Sequence, residues 1–455
     1  MIIMLSVLSG CNNSENNDEH DLSQPGPGSG NEYSDIGNND DIYGDNTGDD
    51  KLEDNEDING DINVDAHGDA HGNTHGDVHE ENNENSSGAT DFLTAAELAA
   101  DIRIGWSLGN TLDAHNGPGG FAHLGGGRYA NTSVTELETG WGRPVTRPEH
   151  FTALKDAGFN AVRIPVTWFK ACDANMNIRE DWMARVKEVV DYAVDTDMYI
   201  IINTHHDDIL FRLLDDEMED SKRNIVKIWE QIANTFSDYN DKLLFEGLNE
   251  PRTIGSPAEW RGGTEEERNN LNILNQLFVD TVRNTGGNNA ERVLLIPTYA
   301  ASANETAQRG LVIPNDSVEN RLIVSIHVYE PWSFALRTGD GSVKTWNKNN
   351  LDDTAPITTF IDLIYEIFVS KGIPVIMGEM GALNRDNLEA RVEWAEFYTA
   401  YAKSKNIPCF WWDNGSHWVL TRRSWGWEQT FGILNRETVE IAHPEIVEAL
   451  MRGTD

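Results

Sequence analysis

Cysteine, basic side chains and long apolar runs are all scarce in this chain. Cys11, Cys172 and Cys409 are the three cysteines among 455 residues, too few for a disulfide framework to hold a protein of this length. Lys and Arg total 35 against 76 Asp and Glu, a formal net charge of −41. That charge repels phosphate backbones and no local basic patch offsets it, so nucleic acid is excluded as a partner. No run of about 18 or more apolar residues occurs, which leaves no candidate for a membrane-spanning helix. Hydrophobic residues make up 39%, below the usual ~45–50%, so part of the chain stays outside any core.

The chain divides into three unequal parts. Residues 1–11, MIIMLSVLSGC, are an apolar stretch ending in Leu8, Ser9, Gly10 and Cys11, the size and small-residue finish of an export signal, although no Lys or Arg precedes it as in an ordinary signal. The ending resembles the lipobox of bacterial lipoproteins. That resemblance implies a lipid on Cys11 and a protein held extracellularly or at the bacterial envelope, touching membrane only through this anchor. Residues 12–90 then carry 22 acidic residues against one basic residue, Lys51, about half of the net charge. Such a composition cannot bury enough apolar surface to offset ordering entropy, so a disordered acidic tether is expected. Within it His67, His71, His75 and His79 recur every four residues. A helix would align them for a transition metal; Gly follows three of them and disfavours helix, so the repeat reads as solvated and no metal site is assigned.

From Asp91 to the end the text becomes globular. Asp91 reads as the cap of a short amphipathic helix over FLTAAELAADI. Eight short apolar or β-branched runs follow, at 102–110, 161–168, 199–207, 243–251, 292–300, 321–330, 373–381 and 407–415, separated by segments long enough for helices. RPEHFTALKDAGF, DWMARVKEVVDYAVDT and NLNILNQLFVDTVRNTGG supply amphipathic helices between them. Alternation of strand and helix argues for a parallel sheet, and eight units argue for a (β/α)₈ barrel occupying 91–455. The strands open apolar and finish polar: Arg163, His205 with His206, Asn249 with Glu250, His327 with Tyr329, Glu379, then Trp412, Asp413 and Asn414. In such a barrel those ends form one rim, so residues far apart in sequence converge there.

Two of them are acids. Glu250 and Glu379 end the fourth and seventh runs, on opposite arcs of the ring. Paired carboxylates suit glycoside hydrolysis, in which one group donates a proton while the other attacks or activates water. GWSLGNTLD, NAVRIPVTW, INTHHD, LLFEGLNEPR, HVYEP, PVIMGEMGA and FWWDNG, in this order, resemble the signature set of glycoside hydrolase family 5, most closely its subfamily 4 of bacterial endo-β-1,4-glucanases and xyloglucanases. The resemblance runs from about Asp91 to Arg452. It implies Glu250 as acid/base and Glu379 as nucleophile, with Arg163, His205, Asn249, His327, Tyr329 and Trp412 completing the site. Asn110, His206 and Asn414 join Trp412 as candidate sugar contacts.

Physical roles can be given independently of the family. Asn249 can bond a sugar C2 hydroxyl. Arg163 and Tyr329 can keep Glu379 ionised and aimed, and Trp412 can face a pyranose ring while its neighbours Asp413 and Asn414 bind hydroxyls. His205 and His327 are placed to tune either acid. Trp141, Trp168, Trp332, Trp346, Trp418, Trp425 and Trp427 fall in loops after strands, where exposed aromatics suggest binding. The expected activity is retaining endo-hydrolysis of a plant β-glucan such as cellulose, xyloglucan or mixed-linkage glucan, by a monomer that needs no cofactor and no metal. Mannan or xylan remain alternative substrates. A glycan-binding lipoprotein on the same scaffold is the alternative from another class, and the presence of both acids argues against it.

Overall fold

The structure is a computed structural model that describes residues 92–115, 132–423 and 426–455. The expected signal, Cys11, the acidic tether, Asp91 and Trp425 lie outside the described residues.

Eight strands build the barrel: β1 (Gly105–Leu108), β2 (Ala161–Ile164), β3 (Tyr199–Asn203), β4 (Leu243–Glu246), β5 (Leu294–Ser302), β6 (Leu322–His327), β7 (Val375–Met380) and β8 (Cys409–Asp413), with two short two-stranded sheets after β8. Each pairs in parallel with its sequence neighbours, and β1 closes on β8, giving the expected (β/α)₈ barrel. Seven of the eight expected runs contain a strand, and the fifth, 292–300, overlaps β5, which continues to Ser302. Helices separate successive strands after β1, and their apolar stripes pack outside the ring; Trp182, Val186, Val189, Val190 and Ala193 of helix Glu180–Val194 are an example.

The barrel's lower end is plugged by helix Ala95–Asp101. Its cap is Thr94, whose hydroxyl accepts from the Glu97 amide while the Glu97 carboxylate accepts from the Thr94 amide, a reciprocal box that satisfies two orphan donors. Leu98, Ala99 and Ile102 meet a closed layer of barrel residues: Ala161, Ile201, Leu244, Leu295, Ile323, Ile376 and Phe410. One step of two residues up each strand keeps the side chain on the same interior face. There the layer becomes Arg163, Asn203, Glu246 and Ser325, all with no exposure. Period-two alternation therefore converts an apolar floor into a polar ceiling within single strands.

Two local irregularities matter for the site. Strict alternation from Met377, which packs in the outer core, would send Glu379 outward as well. The pairing of β7 instead slips between Ile326 and His327 on one side and between Met377 and Met380 on the other, and slips of this kind re-aim side chains. Gly105 serves the floor instead. A Cβ there would lie 2.1 Å from a Phe410 ring carbon, so only glycine admits that ring.

Cys172 and Cys409 are free thiols, consistent with positions on or just beyond strands that are not neighbours in the ring. Cys409 belongs to β8 and Cys172 follows β2. Among the described residues no helix is long and apolar enough to cross a membrane.

Gly105→Ala should destabilise the barrel by about 1–3 kcal/mol, the usual cost of overpacking a filled core. Denaturant unfolding of the variant beside the parent checks this; an unchanged midpoint would show that the floor can repack.

Candidate active site

The polar ceiling is organised around one guanidinium. Arg163, completely buried, donates from Nε to Glu246 at 2.8 Å, from Nη1 to Glu379 at 2.8 Å and from Nη2 to the Asn249 side-chain oxygen at 2.6 Å. Burial disfavours its charge, but Glu246 and Glu379 outweigh that and raise its pKa. Because Asn249 accepts through Oδ1, its NH₂ group is left to donate. Glu379 takes a second bond, 2.8 Å, from the Tyr329 hydroxyl. Burial, then the adjacent Glu379 carboxylate, pushes the Tyr329 phenol well up, so it stays a neutral donor.

Glu250 stands opposite. It lies four residues beyond the last residue of β4, which is Glu246. His327, the last residue of β6, meets Glu250 through Nδ1 at 2.9 Å and lies 3.8 Å from Glu379. One oxygen of each carboxylate and Nδ1 or Nε2 of the imidazole all fall within 4.8 Å of one another. Arg252 donates to the Glu250 backbone carbonyl at 2.8 Å and sits 3.5 Å from its carboxylate. Glu259 and the Trp260 ring fix the Arg252 guanidinium from its other sides. Burial raises the Glu250 carboxyl, but the His327 hydrogen bond and the charges of His327 and Arg252 reverse that and pull it down to about 2.

The other expected residues are placed more variously. His205 meets Asn203 through Nδ1 at 3.1 Å and stacks on Trp412 with ring centroids 5.5 Å apart and planes within 4°; no bond joins it to either acid. His206 packs beside His115, Trp141 and Asp113. Burial drives both His205 and His206 well below the usual imidazole range, so both are neutral. Asn110 occupies the left-handed region at φ 62° in the turn after β1. Asn414 commits its side chain to the loop after β8, donating to Gln429 O and accepting from the amides of Ser416 and Phe431. Asp413 turns away from the mouth, bonded to Trp106, Gly415, Ile433 and Leu434 and paired with Arg436. It therefore braces the barrel and does not meet ligand hydroxyls. Trp168 and Trp346 are core residues, whereas Trp332 and Trp427 are 46% and 37% exposed and remain available to a ligand.

Reading the strand ends missed Glu246, Asn203, Ser325 and Arg252. Glu246 accepts from Arg163, from Asn203 at 2.9 Å and from Ser325 at 2.6 Å. Its signal was present, a Glu inside the apolar run LLFEG. As for metals, the donor atoms of Asp113, His205 and His206 also come within 4.8 Å of one another, as do those of Glu250, His327 and Glu379. In both groups the carboxylates already bond to protein donors.

A barrel whose C-terminal rim carries two facing carboxylates, one braced by Arg and Tyr and the other by His, defines a glycoside hydrolase. The comparison with known proteins narrows this. Residues 126–417 match the cellulase family, glycosyl hydrolase family 5, and the chain belongs to that family. It is 40% identical over 365 residues to "Endoglucanase A" of Clostridium longisporum, covering 80% of this chain and 67% of that protein. A broad-specificity GH5-4 endoglucanase from Ruminococcus champanellensis with bound cellotriose superposes with a TM-score of 0.71 at 42% identity, over 79% of this chain and 98% of that one. A variant lichenase from Caldicellulosiruptor sp. F32 in complex with cellotetraose gives 0.73 at 39%, over 80% and 96%.

Arg252→Gln should raise the Glu250 carboxyl pKa by about one unit, because a positive charge that favours the anion is removed. Carbon-13 titration of the Glu250 carboxyl, assigned by difference from Glu250→Gln, measures it. A pKa that stays put would mean His327 alone sets the carboxylate.

Proposed function

We propose that this protein is a retaining, endo-acting β-1,4-glucanase that cleaves plant cell-wall β-glucans by double displacement. The observation that carries the reading is the approach of the two acids, with one oxygen of each within 4.8 Å. Retaining enzymes hold their carboxyl groups about 5–5.5 Å apart, whereas inverting ones need ~6.5–9.5 Å to seat a water. In the first half-reaction Glu379 attacks the anomeric carbon while Glu250 protonates the departing oxygen. A glycosyl ester on Glu379 results. In the second, Glu250 takes a proton from water, which attacks the same carbon and frees Glu379.

Each role has a structural support. Arg163 and Tyr329 favour the Glu379 anion that attacks. The ligand-free environment of Glu250 favours its anion, the form needed by the water step. A sugar chain lying over the site removes water from Glu250 and adds to the desolvation that favours the protonated form, the one needed for departure of the leaving group. The NH₂ group left free on Asn249 suits a C2 hydroxyl. Endo-action on β-1,4-linked glucan is supported by relatives named endoglucanases and by the cellotriose and cellotetraose in their complexes. The exposed faces of Trp332 and Trp427 suit sugar rings.

Glu379→Ala should abolish hydrolysis of every substrate. Glu250→Ala should lose about 10²–10⁴-fold on polysaccharide but far less on an aryl cellobioside with a good leaving group. Azide should rescue Glu250→Ala with retained configuration. Proton NMR of the first-formed anomer from the parent enzyme decides the mechanism: an α-product would sink it. Parallel product assays on cellulose, xyloglucan, mixed-linkage glucan and mannan identify the preferred backbone.

The lipobox-like ending supports an envelope location for this activity. Fractionation of cells expressing Cys11→Ala should then find the activity moved from membrane to soluble fraction. Soluble activity from the unaltered protein would remove the anchor and leave the enzyme untouched.

A further inference from the structure

Other buried arginines in this barrel have a counter-charge or a full set of acceptors at their terminal nitrogens, although the Nε of Arg436 lacks a partner. Arg163 has two carboxylates, Arg252 has Glu259 and Arg436 has Asp413. Arg292 has no carboxylate at bonding distance but donates to the Asn289 side chain and to four backbone carbonyls, those of Asn240, Leu243, Phe236 and Tyr239. Two others, Arg385 and Arg391, are 3% and 0% exposed and break this pattern.

Arg391 donates from Nε to the Ala382 carbonyl at 3.0 Å, while its Nη1 and Nη2 are buried without a protein partner. Arg385 donates from its two Nη atoms to the carbonyls of Phe334 and Arg337, and its Nε is buried without a partner. Neither makes a salt bridge with any carboxylate among the described residues. The charge that does act on Arg391 is that of Arg385; burial and then this like charge push the Arg391 guanidinium down, to about 9. His443 is depressed by burial and then by Arg391. Guanidinium is not a group that escapes by losing its proton. A buried cation without a counter-charge is costly enough that structures normally pair it.

We propose that Arg391, with Arg385 beside it, forms a buried binding site for a small inorganic monoanion of halide size. The two terminal N–H groups on one edge of a planar fork converge on a single acceptor atom. One negative charge relieves the repulsion between the two guanidiniums, and complete burial favours a monatomic ion over a bulky one. The site is built on the chain that leaves β7, at its passage into helix Leu388–Ser404. Ala382 follows Glu379 by three residues, and Arg385 grips the chain just beyond Tyr329. An ion there ties together the segments leaving β6 and β7, and so stabilises the folded state by mass action.

The test is thermal unfolding of the full chain in sodium chloride and in sodium gluconate at matched ionic strength. Chloride at about ten times its dissociation constant should raise Tm by roughly 2 °C or more above gluconate, whose anion is too bulky for the site. Arg391→Met should lose this increment, while Arg452→Met, a change of a half-exposed surface arginine, should keep it. Equal curves in the two salts for the parent protein, as expected if only water meets these donors, would overturn the proposal. So would an increment that survives in Arg391→Met. Should Arg391→Met fail to fold, crystals of the parent soaked in sodium bromide decide: an anomalous peak in contact with Nη1 and Nη2 of Arg391 supports the site, and its absence there refutes it. Neither readout depends on turnover, so the glucanase assignment can fail without affecting it.

Discussion

The site depends on a single cation, Arg163, held inside the barrel with no solvent exposure. Arg163 joins Glu246 from β4, Glu379 from β7 and Asn249 beyond β4, so one planar fork fixes Glu379 and the residue before Glu250 from a common centre. Buried charges are tolerated when each is paired and hydrogen-bonded, and the interior supplies this on both sides. Glu246 is in turn held by Asn203 and Ser325. The network spans β2, β3, β4, β6 and β7. Rigidity at the Glu379 carboxylate thus follows from satisfying a charge that could not otherwise be buried.

That arrangement is possible because the floor beneath it is apolar and closed. Seven barrel side chains and the plug helix seal the lower end, so water reaches the charged ceiling only from the rim. A drier ceiling strengthens every electrostatic contact within it. The same dryness explains why the neighbouring imidazoles His205 and His206 are neutral, and why Tyr329 donates without ionising.

Much of this was legible in the sequence, for physical reasons that differ from case to case. The eight strands announced themselves because a parallel sheet buried on both faces needs unbroken apolar runs. Glu250, Glu379, Arg163, Asn249, His327 and Tyr329 stood out because polar groups at the ends of such runs are costly unless something engages them. Glu246 was overlooked because it sits before the glycine of the same run and looks like part of the strand; only the interior partner across the ring reveals its purpose. Asp413 and Asn414 read as ligand contacts because they follow Trp412, yet the chain after β8 folds back and absorbs both. Loop tryptophans divided the same way: nothing in local sequence separates Trp346, in the core, from Trp332, in solvent. Partners distant in sequence decided each of these outcomes.

The slip in pairing on both edges of β7 makes the direction of Glu379 a property of the backbone. A regular β7 carrying the same sequence would hand that carboxylate to the surrounding helices and leave Arg163 facing an empty arc. Transplanting the site to another barrel by copying side chains would therefore fail, however faithful the copy. What has to be copied is the misalignment, because the slipped register and not the side chain turns that carboxylate inward.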